Sequence, residues 1–330
     1  MPVPTAPCCT PSSDSAPAYL RLGRKTALTE RAKRARARLS ACDLCPRVCR
    51  ANRTHEAGVC RTGRAARLLA FIPTFHEEAS IVGSRGSGVI LFAGGELRKP
   101  GAPLNEQRPM ASGHESSERE VTPAELAACM LELQGAGCHN INLVNPSHVV
   151  AQILEALAIA ARQGLTLPLV YNSNGYDAPE ALALLEGVVD IYTPEMRFGY
   201  THEARRFLDV PDYPRVNRAA LREMHRQVGD LVVSDDGPAV RGLLVRHMVL
   251  PNRLAGTSYA VRFLARQISP DTYLQLVDDF RPTRSAKGHG DLYRRITPRE
   301  LECAKTLASE AGLHRFGRTA LIERGPTIAV

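Results

Sequence analysis

From about residue 87 onward, short β-branched apolar runs alternate with longer periodic stretches, and few architectures accept that pattern. The runs are VILFAG (89–94), NINLVN (140–145), LPLVYN (167–172), VVDIYT (188–193), GLLVRHMVLP (242–251) and DTYLQLVD (271–278). Between them lie segments of helical periodicity. In TPAELAACMLELQGAG (122–137), Thr122 caps, Pro123 suits the first helical position and Glu125 completes a capping box. SHVVAQILEALAIAARQG (147–164) and TPRELECAKTLASEAG (297–312) repeat the design, each ending in a glycine suited to a left-handed stop. Strands joined by helices in this way predict an α/β fold with a parallel sheet, either a partial barrel or an open doubly wound sheet.

The residues outside this region divide the rest of the chain. Residues 1–17, rich in Pro, Ser, Thr and Ala, predict a disordered tail, and residues 317–330 a C-terminal one. Residues 18–86 predict one basic amphipathic helix over 18–40 followed by a compact cysteine-rich module, and residues 87–316 the α/β domain. Part of the net charge of +8 sits in residues 21–39, where a solvated helix face is the ordinary reading and an acidic protein or nucleic-acid partner the alternative. With 5% aromatic residues and no Trp, the chain has little material for stacking bases, which argues against a nucleic-acid module. There is no run of about 20 apolar residues to cross a membrane, and no basic segment followed by an apolar core at the N-terminus. A cytoplasmic protein is the expectation, and its nine cysteines then read as reduced thiols or metal ligands.

The strongest local motif is C-x2-C-x3-C-x10-C, formed by Cys42, Cys45, Cys49 and Cys60. Four thiolates at this spacing suit a tetrahedral zinc ion or an iron–sulfur cluster, with Pro46 and Gly58 helping the chain turn back. So short a segment has little core of its own, and a metal staple accounts for its order. The bland alternative is a small packed hairpin of reduced cysteines.

Polar residues collect just after the apolar runs: Asn145, Ser147 and His148; Asn172, Ser173 and Asn174; Glu195 and Arg197. Ligands of parallel α/β folds bind at the carboxyl ends of strands, so these residues predict a shared cofactor or substrate pocket. Each taken singly is an ordinary cap or turn residue. Arg246 and His247 lie inside one apolar run, so strand alternation sends them to opposite faces. A lone strand histidine is more often a satisfied core residue, and Asp278 and Asp279 are as well suited to capping a turn as to holding a cation. Walker, G-x-G-x-x-G, G-x-S-x-G and H-E-x-x-H motifs are absent in the required contexts.

Together, FHEEASIVGSRGSGVILFAGG, HNINLVNPSH, LPLVYNSNGY, YTPEMRFG, YPRVNRAALREMHRQVGD and RGLLVRHMVLPN followed by ISPDTY resemble radical S-adenosylmethionine proteins related to pyruvate formate-lyase activating enzyme. The resemblance covers roughly residues 18–316, and the Cys42–Cys60 segment is similar to that group's N-terminal cysteine module. It implies a partial (β/α)6 TIM-like barrel, a [4Fe–4S] cluster, S-adenosylmethionine as cofactor, an activating oxidoreductase and a protein substrate or partner. The family's C-x3-C-x2-C loop follows the first barrel strand, which here reads Gly94-Gly95-Glu96-Leu97-Arg98-Lys99-Pro100-Gly101-Ala102. The three ligand positions hold Gly95, Lys99 and Ala102, none of which supplies a thiolate. Glu195 and Arg197 stand where the family shows Asp and Lys. A barrel with a degenerate, non-radical site is therefore the leading expectation. The alternatives are an active radical enzyme with its cluster on Cys42, Cys45, Cys49 and Cys60, and a metal-stapled binding protein for a protein or nucleic-acid partner.

Overall fold

The computed structural model describes residues 16–23, 26–97, 118–234, 237–282 and 290–317. The expected tails lie outside these residues except for 16, 17 and 317, and so do Lys99 and Ala102.

In chain order the strands are β1 (Ala66–Thr74), β2 (Ser87–Phe92), β3 (Arg119–Val121), β4 (Ile141–Val144), β5 (Leu169–Asn172) and β6 (Ile191–Tyr192). They continue as β7 (Glu195–Met196), β8 (Val232–Val233), β9 (Ala239–Met248), β10 (Tyr273–Val277) and β11 (Arg315–Phe316). All join one sheet in the order β11-β10-β9-β6-β5-β4-β2-β1-β3, with β7 and β8 also paired to β9. The six apolar runs supply β2, β4, β5, β6, β9 and β10, which are neighbours in that sequence and parallel throughout. No reversal interrupts the order, so the sheet has no switch point of the doubly wound kind. Every residue of β5 is buried, and of β4 only Val144 is partly exposed, as expected of parallel strands covered on both faces.

The helices are α1 (Ala27–Ala37), α2 (Ala79–Val82), α3 (Pro123–Gly135), α4 (Val150–Ala160) and α5 (Pro179–Leu185), then α6 (Thr201–Leu208), α7 (Tyr213–Val228), α8 (Thr257–Phe263) and α9 (Pro298–Glu310). Both expected capping boxes form: Glu125 N donates to Thr122 Oγ1 at 3.2 Å, and Glu300 N to Thr297 Oγ1 at 3.2 Å. The glycine stops also form, at Gly137, Gly164 and Gly312, with φ of 84°, 97° and 101°.

Two features depart from the sequence reading. The basic stretch is one turn at Ala18–Leu20 and then α1, not a continuous helix over 18–40. Strand β1 lies on the N-terminal side of residue 87 yet pairs antiparallel with both β2 and β3, so the sheet begins at Ala66. The segment ARLLAFIPT lacks clean alternation because β1 is buried at one end and exposed at the other, which hides it from a periodicity reading.

Residues 18–22 and 26–37 are built into the domain. Helix α1 packs between α4 and α5, with Leu28, Ala32 and Ala35 buried. Ala18 N donates to Asp190 Oδ1 at 2.7 Å, and the same carboxylate accepts from Leu169 N through Oδ2 at 2.9 Å. Tyr19 hydroxyl reaches Leu165 O at 3.1 Å and Leu167 O at 3.0 Å. No helix of the described residues is long and apolar enough to cross a membrane.

Candidate functional site at the strand ends

The cysteine module folds back on itself through main-chain bonds: Cys42 N donates to Ala51 O at 3.0 Å, Arg50 N to Cys42 O at 2.9 Å and Val48 N to Cys45 O at 3.0 Å. Cys42, Cys45 and Cys60 are buried and Cys49 is partly exposed, and all four are free thiols. A Cβ on Gly58 would stand 3.3 Å from Cys49 Sγ and 3.5 Å from Cys60 Sγ, so glycine leaves the space beside these two sulfurs open. Burial pushes the Cys45 thiol up, with the charges of Glu96, Cys60 and Cys42 adding to it. Burial also raises Cys60, opposed by the Arg53 charge. Among the described residues no group of three or more His, Cys, Asp or Glu side chains is arranged to hold a metal ion.

The module sits directly on the end of β2. Gly95 N donates to Cys60 O at 3.1 Å, and a Cβ on Gly94 would fall 2.5 Å from that same carbonyl. Gly94 and Gly95 have φ of 88° and 135°, which L side chains rarely adopt, so this close approach depends on glycine.

Glu96 follows, 2% exposed, and is the hub of the site. Asn174 Nδ2 donates to its Oε1 at 2.6 Å, Arg47 Nε donates to its main-chain O at 2.8 Å, and His148 Nδ1 lies 3.9 Å from its Oε2. Burial, then the neighbouring Asp177, pushes the Glu96 carboxyl up to about 7. Asp177 accepts from Tyr171 hydroxyl at 2.9 Å and Ser173 hydroxyl at 2.6 Å, and Ser147 lies beside it; burial raises this carboxyl too. His148 Nε2 is 2.9 Å from Ala93 O, so that nitrogen carries the proton.

A second group of charges lies on the neighbouring strands. Arg246 Nε is 2.9 Å from Glu78 Oε1, and its Nη1 is 3.8 Å from Glu195 Oε1 and donates to Asn172 Oδ1 at 3.3 Å. Arg197 pairs with Glu195. Burial alone would raise Glu195, but Arg197 and Arg246 outweigh it and hold the carboxyl below the usual range. Asp279 adds negative charge near Arg246.

The strand-end residues expected from the sequence thus fall into two connected groups: His148, Ser147, Ser173 and Asn174 around Glu96 and Asp177, and Asn172, Glu195 and Arg197 around Arg246. Asn145 takes a left-handed turn, φ 57°, and donates its N–H to Asn172 O at 3.0 Å. His247 is turned away. Its Nδ1 donates to Met196 O at 2.6 Å, Thr257 hydroxyl lies 3.0 Å from Nε2, and burial lowers it to about 4, so it is a neutral core histidine. Glu78, Glu96, Asp177 and Arg53 escaped the sequence reading. A lone acid or arginine in a loop looks like a cap or a solvated residue, and only chain crossing between distant segments buries these four.

No protein-family model matches the chain. Over 177 residues, 53% of this chain and 47% of the relative, it is 29% identical to the uncharacterized protein MJ0674 of Methanocaldococcus jannaschii. The aligned part is thus about half the length of that curated relative.

The donor sets answer differently to the two metal groups expected. Gly95 offers no side chain and its N–H is committed to Cys60, while Lys99 and Ala102 lack thiols, so the loop does not fit a three-thiolate cluster. The four-cysteine module supplies four free thiols, three of them buried, although as arranged they do not form a group that holds a metal.

Proposed function

We propose that this chain is a radical S-adenosylmethionine-like protein, related to the pyruvate formate-lyase activating enzyme group, that keeps a partial (β/α)6 barrel and has lost the radical chemistry. It acts as a metal-stapled binding protein whose ligand or protein partner engages the strand-end rim. The observation that carries the reading is the stretch Gly94–Glu96. Where the cluster's first thiolate would stand, a glycine is bonded to the cysteine module and a buried carboxyl follows. The uninterrupted parallel order β2-β4-β5-β6-β9-β10 supports the barrel. Cys42, Cys45, Cys49 and Cys60 would hold the metal, which supplies folding energy and, with four protein ligands, no open coordination position.

One observation favours a second reading. The cysteine module lies against the end of β2, so a cluster on these four cysteines would be close to the strand ends. The same experiment separates the two. The protein is purified without air and offered iron and sulfide, and metal, sulfide and 5′-deoxyadenosine are measured beside the Gly95→Cys/Lys99→Cys/Ala102→Cys variant. Zinc at about one per chain, no cleavage by the native protein and a cluster gained by the variant are expected. Production of 5′-deoxyadenosine by the native protein overturns the proposal in favour of the second reading.

A further inference from the structure

Arg53 is 1% exposed, and among the described residues it forms no ion pair. Its Nη1 donates to His148 O at 2.8 Å and its Nη2 to Gly63 O at 3.2 Å, while Nε has no partner among the described residues. Carbonyl oxygens take up N–H groups, but they do not cancel a full charge removed from water. The positive field of this guanidinium therefore acts on whatever lies beside it.

What lies beside it is a cavity of about 380 Å³, whose walls also carry Arg61, Arg64 and Arg67. The strand-end residues around Glu96 and Arg246 are not part of its described lining. Arg61 is exposed and has no ion pair among the described residues. Arg64 Nη2 meets Glu155 Oε1 at 2.8 Å, but Arg36 lies 3.8 Å from the same oxygen, so two cations share one carboxylate. Arg67 pairs with Glu118, and its Nη1 donates to Arg61 O at 2.9 Å. Two acids also line the cavity: Glu56, which accepts from Asn52 N at 3.2 Å, and Glu120, which faces Arg67 across the β1–β3 pairing. Four wall arginines thus stand against two wall carboxylates. A guanidinium has five N–H donors in a fork that matches oxyanions, so one carboxylate partner does not exhaust it.

We propose that this cavity binds a phosphate-type oxyanion, either free or as the phosphomonoester of a small molecule. Arg61 and Arg64 donate to the anion, and buried Arg53 supplies a fixed positive charge beside it. The site needs neither a cluster nor a metal on the cysteines, so it stands apart from the function proposed above.

The full chain is titrated calorimetrically with inorganic phosphate and with glycerol 3-phosphate, each against chloride at equal ionic strength. Arg61→Gln and Arg53→Gln are measured beside it. Arg262→Gln, at an exposed position on α8 outside the cavity, controls for lost surface charge. The native chain is expected to bind about one anion saturably. Arg61→Gln and Arg53→Gln are each expected to weaken this about 10-fold, the worth of one charge-assisted contact, while Arg262→Gln leaves it unchanged. Tighter binding of the ester assigns a phosphomonoester ligand, and equal or tighter binding of inorganic phosphate assigns the free anion; either upholds the site. No saturable binding beyond chloride overturns it, as does native affinity in Arg61→Gln or in folded Arg53→Gln, or an equal loss in Arg262→Gln. Should Arg53→Gln not fold, Arg61→Gln against Arg262→Gln decides.

Discussion

Glu96 shows how one buried side chain makes the molecule sensitive to pH. Its carboxyl sits at about 7 in the folded protein against 4.5 for an ordinary glutamate, chiefly because burial disfavours the charge. Between these values the folded protein holds a proton that the unfolded chain has released. Stability therefore falls as pH rises through that window, and the full cost is present above about 7. Glu96→Gln removes the ionisation and keeps an oxygen for Asn174. Relative to the native protein it is expected to be near neutral at low pH and to stabilise by about 1–3 kcal/mol at high pH. Urea midpoints at both ends of the window check this, and an unchanged difference between the two proteins would refute the raised carboxyl. Asp190, raised to about 6 by burial, contributes in the same direction and remains in both proteins, so the comparison isolates Glu96.

At the scale of elements, the loops after the strands decide where the polar groups meet. The turn after β5 passes through Gly175 at φ +72°, where a Cβ would collide with Glu195 O and Asn217 Nδ2. That contact draws β5, β7 and α7 together, since Asn217 Nδ2 donates to Gly175 O at 3.0 Å and Glu195 O at 2.9 Å. Gly137 takes a similar φ of +84° at the end of α3 with nothing within 4 Å. Gly175→Ala is therefore expected to cost about 3 kcal/mol or more, and Gly137→Ala about 1 kcal/mol from backbone strain alone. Thermal melts of the two variants side by side test the assignment. Equal costs would mean that the crowding at Gly175 relaxes freely. Gly137 was legible in the sequence as a helix stop, whereas the demand on Gly175 appears only with the partners brought by β7 and α7.

Across the whole molecule, the described residues ahead of β1 are part of the domain and not an appendage. Helix α1 fills the space between α4 and α5, the Ala18 amide and the Leu169 amide share the Asp190 carboxylate, and the Cys60 carbonyl receives the Gly95 amide. A chain beginning at residue 66 would expose the apolar helix faces that Leu28, Ala32 and Ala35 cover. Removal of residues 1–65 is accordingly expected to abolish cooperative unfolding, while the full chain unfolds in a single transition. Circular dichroism melts and proteolysis check this. A truncated chain that melted as sharply as the full one would show that the segment is dispensable.

The α/β class, the six parallel strands, both capping boxes and the glycine stops were determined by the sequence, because each depends on local periodicity or on side chains within a few residues of one another. The strand-end residues were visible as a set for the same reason. Only the tertiary structure decided which of them meet. It seated the cysteine module on β2, buried Glu96 against Asn174, tied Arg53 to the His148 carbonyl and turned His247 into the core. Each of those contacts joins segments far apart in the chain. Burial and charge balance arise from such long-range packing, and local spacing does not encode them.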